Sequence, residues 1–278
     1  MGLLYGLADY TWEGMNVSRV TLNEGLWGHD TPDRDEHMVL EGLKSTILHV
    51  DIVHSVSSQF TIPGFLFEGC TNLTSVDGID PVTKSGTGLE DCSYVGEFAF
   101  AGTKIGWGLY GKSEELADIE YIGPAAFMSA HLGESCNASE QGGQDSDRGL
   151  WVDRNCVQMG ADAFAYNPNL KWIGLPGPSH DISDISEMDQ SRRLSIDNGQ
   201  FSDCSGLSNI INLEFQKSFS TNAIVGCNSL PFLNLFYVDE VVDCNNQDME
   251  NVPVSYIHIG PELASQLSAM IPLFAGCS

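Results

Sequence analysis

The chain has 278 residues, and 38 acidic against 12 basic side chains give it a formal net charge of −26. Such an excess of negative charge repels phosphate backbones and anionic lipid, which argues against nucleic acid and membrane surfaces as partners. No apolar run approaches the ~18 residues that a membrane-spanning helix needs, so membrane insertion is not expected. Composition leaves open one or two ordinary domains or a repetitive fold.

One phrase recurs six times along the chain. Each copy begins with an apolar residue that is often followed by Gly. Ala-Phe or an equivalent comes next, then Gly-Cys or a substitute, a Leu and an alternating apolar tail. The anchor residues of the six copies are Phe67, Phe100, Phe127, Phe164, Phe201 and Ile224. The last two anchors are 23 residues apart, within the ~20–29-residue period of leucine-rich repeats.

Each part of the phrase predicts a structure. The alternating tail predicts a short strand with one buried face, and the part before the Phe is too short for a free helix and suits a tight turn. One unit cannot bury its own apolar face, so the units must stack. We therefore expect a right-handed leucine-rich-repeat solenoid, with short parallel strands on one face and turns and short helical pieces on the other. The Phe anchors should form a buried ladder, and Cys70, Cys204 and Cys227 should be buried and reduced.

The phrases FEGCTNLTSV from Phe67 and FSDCSGLSNI from Phe201 resemble the A-F-x-G-C-x-x-L-x-x-I pattern of the BspA-like leucine-rich repeats. That family occurs in surface and secreted proteins of bacteria and some protists. The resemblance covers roughly residues 45–260, and it implies an extracellular or cell-surface location and a role in adhesion. Long acidic insertions depart from the family pattern.

The ends and the insertions complete the predicted organisation. Residues 1–44 carry no repeat and predict an N-terminal cap. Residues 261–278 predict a C-terminal cap helix, with Leu263, Leu267 and Met270 on one face, or the start of a further repeat. Three polar, acidic segments predict loops that leave the solenoid: residues 133–156, 177–195 and 239–252.

The second position after the repeat leucine should point away from the core. In five coils this slot holds Ser75, Trp107, Trp172, Asn209 and Phe232. Three aromatic residues among the five predict a ligand-binding stripe, because aromatic rings stack on sugars and anchor peptides. The alternative is that a cap or an insertion covers the rings and makes them a secondary core.

The first insertion contains two further candidate sites. Asp145, Asp147, Gly149 and Asp153 have a spacing similar to that of a calcium loop, but the terminal Glu is missing, so a solvated loop is favoured and no cofactor is expected. Cys136 and Cys156 bracket the segment, and a disulfide or two free thiols are equally consistent with their spacing.

Glycosylation is the other modification that the sequence suggests. Three N-x-S/T sequons stand at Asn16, Asn72 and Asn137.

Two observations bear on metal binding and catalysis. His49, Asp51 and His54 cluster in HVDIVH, but only the first two share a strand face, which favours an ordinary strand over a metal site. No catalytic motif is present, so an enzyme is not expected. We favour a recognition or adhesion module that binds a protein or a glycan. The rivals are a structural subunit packed into a larger extracellular assembly and an enzyme with an unrecognised acidic site.

Overall fold

The computed structural model describes residues 17–23, 40, 42–54, 59–79, 88–89, 91–107, 116, 118–134, 148–178, 185–242, 249 and 252–274, with Trp107 and Leu273 described by their backbone only. Within these residues the strands are, in chain order, β1 (Arg19–Asn23), β2 (His49–Val53), β3 (Phe60–Ile62), β4 (Ser75–Ile79), β5 (Cys92–Val95), β6 (Tyr121–Ile122), β7 (Gly149–Trp151), β8 (Gln158–Met159), β9 (Trp172–Gly174), β10 (Ser195–Ile196), β11 (Asn209–Ile211), β12 (Ser218–Ser220), β13 (Phe232–Leu235), β14 (Glu240–Val242) and β15 (Tyr256–Ile259). A short helix, α1 (Leu267–Leu273), follows them.

The strands form two rows. Row one contains the strands of the repeat tail and their partners, in sheets ordered β1-β2-β4, β7-β9-β11 and β13-β15. Row two contains the strands that lead into the turn around each anchor residue, together with the strands paired with them. Its sheets are ordered β3-β5-β6-β8 and β10-β12-β14. All the pairings are parallel, as stacked coils require. The chain is a parallel solenoid of about seven turns with a short C-terminal helix, which confirms the predicted fold class.

A ladder of phenylalanine rings fills the centre of the solenoid. The five predicted rings are fully buried: Phe67, Phe100, Phe127, Phe164 and Phe201. Successive ring centroids lie 5.3, 5.2, 5.5 and 6.2 Å apart with nearly parallel planes, and Ile224 continues the ladder as a buried residue. Burial of aromatic rings on this scale dominates the energetics of a core, so the ladder is the main source of cohesion between coils.

The slot three residues after each anchor is a second buried ladder, made of small and mostly polar side chains. Its members are Cys70, Thr103, Ala130, Asn167, Cys204 and Cys227. Cys204 Sγ donates to the carbonyl of Phe164 in the preceding coil at 3.1 Å, and Asn167 Nδ2 donates to that of Phe127 at 2.9 Å. Burial raises the pKa of Cys204 to about 12, so its thiol stays protonated. The three predicted cysteines are buried, as expected.

The turn around each Phe contains two residues in the left-handed region. They lie two positions before and two positions after the anchor, as at Asp162 (φ 54°) and Tyr166 (φ 59°) around Phe164. Several coils use Gly at the second of these positions, whereas Tyr166 is a bulky residue there. A left-handed conformation costs an L-residue about 1–2 kcal/mol, so the buried ladder must outweigh local strain.

The segments predicted as loops and caps partly join the solenoid. Strand β1 lies within the predicted N-terminal cap and pairs with β2. Strands β7 and β14 lie within the first and third insertions, and each adds to a sheet. In the second insertion the buried Arg193 donates to both carboxylate oxygens of Asp239, at 2.9 and 3.0 Å. These segments are therefore anchored to the coils and are not wholly loops.

The C-terminal helix differs in detail from the prediction. Leu263 and Met270 are buried, but Leu267 is 40% exposed, because a tighter 3-10 turn from Pro261 to Gln266 precedes α1 and changes the spacing of the apolar face. Among the described residues no helix is both long and apolar enough to cross a membrane.

Candidate ligand-binding site

The outer face of row one brings together two of the five predicted ligand residues. Trp172 on β9 is directly paired with Asn209 on β11, and Gly149 on β7 is its partner on the other side. Trp172 is partly exposed and Asn209 is exposed, in agreement with the predicted orientation of this slot. Strand β9 is therefore the centre of a three-stranded surface.

A second tryptophan, which sequence reasoning missed, stands beside Trp172. Strand β7 reads Gly-Leu-Trp and β9 reads Trp-Ile-Gly, and in the paired register each tryptophan faces a glycine of the other strand. A Cβ on Gly149 would meet the Trp172 ring at 1.8 Å, and one on Gly174 would meet the Trp151 ring at 2.0 Å. Because neither glycine has a side chain, each indole can pack against the neighbouring strand. The G-x-W and W-x-G motifs are the sequence signal for this pair.

The two indoles form one side of a groove, which we call the tryptophan groove. Its volume is about 590 Å³, and its described lining residues are Trp151, Lys171, Trp172, Gly206, Ser208, Asn209, Ile211 and Ser229. The ring centroids of Trp151 and Trp172 lie 5.5 Å apart with the planes inclined at 63°. None of these lining residues is acidic, although the chain has 38 acidic residues. The groove is an apolar cleft with a small polar rim.

The other aromatic residues of the predicted stripe do not join this groove. Phe232 on β13 is 39% exposed and stacks on Tyr256 of β15, with centroids 5.4 Å apart. Trp107 ends a single 3-10 turn, Ile105–Trp107, and its side chain lies outside the described residues. Of the predicted aromatic stripe, the structure describes Trp172 in the groove and Phe232 in a separate pair with Tyr256. Ligand binding by these residues stays a prediction.

Ser75 lies in a different environment, a polar cluster on the sheet β1-β2-β4. A hydrogen bond joins its Oγ to His49 Nδ1, and His49 Nε2 lies 2.8 Å from Asp51 Oδ1 and 3.2 Å from Asp77 Oδ2. Arg19 donates to both oxygens of Asp51 at 2.7 Å. Burial alone raises the pKa of Asp51, but hydrogen bonds from Arg19 and His49 outweigh it, and the net pKa is lowered.

The cluster contains residue types that are found in two kinds of site, a metal site and a hydrolase triad. The ligand atoms of His49, Asp51 and Asp77 lie within 4.8 Å of one another. The third member of the group is therefore Asp77, and not the His54 that is close to the other two in sequence. A cation there would have to displace the Arg19 guanidinium from Asp51. The chain Ser75–His49–Asp51 has the composition of a hydrolase triad, yet the Ser75 N–H, the donor that the nucleophile of a chymotrypsin-type triad offers to the oxyanion, donates to the carbonyl of Leu48. We interpret the cluster as a network that joins three strands.

The remaining candidate residues of the first insertion are described only in part. Asp145, Asp147 and Cys136 lie outside the described residues. Asp153 Oδ1 accepts the Asn155 N–H at 2.8 Å, which forms a local turn, and Gly149 belongs to strand β7. Cys156 is fully buried. Calcium binding and the disulfide bridge stay predictions.

One of the three sequons lies within the described residues. The Asn72 side-chain nitrogen, which glycosylation would modify, donates to the carbonyl of Ser45 at 2.7 Å. Asn16 and Asn137 lie outside the described residues. Use of the sequons stays a prediction.

Comparisons with known proteins give only distant similarity. No protein-family model and no curated protein matches the chain. A leucine-rich repeat protein from Bacteroides ovatus is similar over 77% of this chain and 49% of its own, at 15% identity and a TM-score of 0.37. The chain thus spans about half the length of that protein. A leucine rich cell surface protein from Faecalibacterium prausnitzii is similar over 94% of this chain and 83% of its own, at 12% identity and a TM-score of 0.36. The fold therefore rests on the strand pairing and the ladders described above.

Proposed function

We propose that the protein is an extracellular or cell-surface recognition module that holds a protein or glycan partner against the outer face of row one. The observation that supports this proposal is the tryptophan groove. Two partly exposed indoles that lie side by side give this face an aromatic surface on which a partner can pack. Tryptophan is also the residue type most enriched among those that dominate binding energy.

Local charge supports the same surface. The protein as a whole repels anionic partners, yet the groove contains Lys171 and its described lining has no carboxylate. Arg148 lies close by, since its carbonyl accepts the Lys171 N–H at 2.9 Å. A partner can therefore approach this part of the face without the repulsion that the rest of the surface imposes.

A binding screen with matched variants tests the proposal. Biotinylated protein would be presented to arrays of secreted glycoproteins and of immobilised polysaccharides, together with a Trp151→Ala/Trp172→Ala double variant and a Tyr121→Ala control. Tyr121 is a partly exposed aromatic residue on β6 of row two, and it stacks on Tyr94 outside the groove. The proposal predicts that a partner retained by the wild type and by the control is lost by the double variant. Equal retention by all three proteins would contradict it.

A structural subunit is the second candidate, and exposed apolar residues near the C-terminal end favour it. Ile271 is 70% exposed and Leu267 is 40% exposed, and Tyr256 on the last strand is 61% exposed. Leu267 and Ile271 lie one turn apart on α1, and exposed apolar residues that share a face are the kind that contacts between subunits use. Sedimentation of the wild type and of Ile271→Glu separates the two functions. Assembly that the substitution abolishes supports the subunit, whereas a monomer at all concentrations supports the free recognition module.

A further inference from the structure

The tryptophan groove has the size and lining of a site for a small ring-shaped ligand. Its volume of about 590 Å³ falls within the ~300–1,000 Å³ range of small-ligand sites. The indole planes are inclined at 63°, so the aromatic wall of the groove is angular rather than flat. A flat protein surface would not fill such a cleft.

The rim provides both kinds of hydrogen-bonding group. Ser208 Oγ donates to the Lys171 carbonyl at 3.0 Å, and Ser229 Oγ donates to the Ser205 carbonyl at 2.7 Å. Because each hydroxyl uses its one proton in this way, its oxygen remains available as an acceptor. Lys171 and Asn209 add an ammonium and an amide that donate. A ligand whose groups both donate and accept matches this rim.

The backbone around the groove argues against an extended peptide. Strand β9 is paired on both sides, with β7 and with β11, so it has no free edge on which a peptide could add a strand. Peptide recognition by strand addition draws its affinity from such main-chain hydrogen bonds. A saccharide needs no main-chain pairing, because it binds through apolar ring faces and hydroxyl groups.

We propose, on the basis of the recognition function above, that the ligand of the tryptophan groove is a saccharide. A pyranose ring stacks on the Trp172 indole and contacts Trp151, and its hydroxyl groups bond to Ser208, Asn209, Ser229 and Lys171. Aromatic surface next to polar groups is the arrangement that accommodates a ring with one apolar face and a hydroxylated edge. Gly149 and Gly174 serve the site indirectly, because they let the two indoles lie against the sheet.

Calorimetry and saturation-transfer NMR with defined sugars test this assignment. The probes are methyl pyranosides and short oligosaccharides of gluco, galacto, manno, N-acetylglucosamine and glucuronate type. We expect at least one to bind the wild type, and Trp172→Ala to weaken it by about tenfold or more, as for other buried aromatic anchors. Trp172→Phe should restore part of the affinity, and Tyr121→Ala on row two should leave it unchanged. Thermal melts of each variant control for folding.

The outcomes separate the assignment from the function on which it rests. If no saccharide binds but a protein partner does, and Trp151→Ala/Trp172→Ala abolishes that binding, the saccharide assignment is wrong and the recognition function stands. If a saccharide binds the wild type and Trp172→Ala equally well, this groove is not its site. If the double variant keeps all partners of the wild type, both proposals fail.

Discussion

In the inner slot of the solenoid five coils in succession carry phenylalanine. In the outer slot of row one the residue changes at every paired step. The paired residues are Arg19, His49 and Ser75, then Gly149, Trp172 and Asn209, then Phe232 and Tyr256. Inner rings stand 5.2–6.2 Å apart, so each packs between its neighbours and the slot requires a large apolar side chain, which is Phe in five coils and Ile224 in the next. Outer side chains face solvent and are free to differ. In this protein a residue type that repeats from coil to coil therefore indicates core packing, and a position whose residue type varies indicates the surface available for binding.

The largest expected effect is on the inner ladder. Phe164→Ala should lower the free energy of unfolding by about 3–5 kcal/mol, because it leaves a cavity between two stacked rings. Urea titration measures the change, and Phe232→Ala in the outer slot serves as the control, with an expected loss below about 1 kcal/mol. Equal losses at the two positions would remove the distinction between the slots.

A smaller effect is expected where the outer face is most constrained. Gly149→Ala should lower the free energy of unfolding by about 1–3 kcal/mol and shift tryptophan fluorescence, because the added Cβ forces the Trp172 ring off the sheet. In a double-mutant cycle Trp172→Ala should cancel most of this cost, since it removes the clash. Additive losses would mean that the glycine does not position the ring.

The polar cluster predicts a dependence on pH. Hydrogen bonds from Arg19 and His49 outweigh burial and lower the pKa of Asp51, so its stabilising contribution is present above the usual Asp pKa and is lost as pH falls through the lowered value. Asp51→Asn should therefore cost about 1 kcal/mol at pH 7, and the difference from the wild type should shrink in acid. Unfolding titrations between pH 7 and about pH 2 measure it.

Glu214 provides the control of opposite sign. Burial raises the pKa of its carboxyl group, so the ionised form is disfavoured in the folded state. Glu214→Gln should stabilise the protein at neutral pH, and this gain should disappear as pH falls through the raised pKa to the usual Glu value. If both substitutions showed the same trend with pH, general charge repulsion rather than these local contacts would account for it.

The smallest effect concerns backbone strain in the turns. Tyr166 is 51% exposed and has a φ of 59°, so Tyr166→Gly relieves strain and removes little packing. The unfolded chain gains entropy at a glycine, and the net gain in stability should be below about 1 kcal/mol. Tyr166→Ala keeps the strain and should not stabilise. Scanning calorimetry measures Tm for both variants. We expect Tyr166→Gly to raise Tm and Tyr166→Ala not to raise it.

Much of the inner structure could be predicted because packing imposes a period on the sequence. The Phe anchors and the Cys slot recur at matching positions, and each position proved to be buried. The outer site could be predicted only in part. Trp172 and Asn209 follow from the repeat, but Trp151 lies in a segment without the repeat pattern and reaches the sheet only because β7 pairs with β9.

The sequence by itself determined the stacking of coils, the buried aromatic ladder and the orientation of the strand tails, because a repeated apolar pattern has few ways to bury its faces. Only the tertiary structure decided which outer residues become neighbours. Asp77 joins His49 and Asp51, and Trp151 joins Trp172, through the register of parallel strands from separate parts of the chain. Spacing along the chain does not encode that register where insertions of unequal length lie between the strands, so the groove and the polar cluster emerge only in the folded protein.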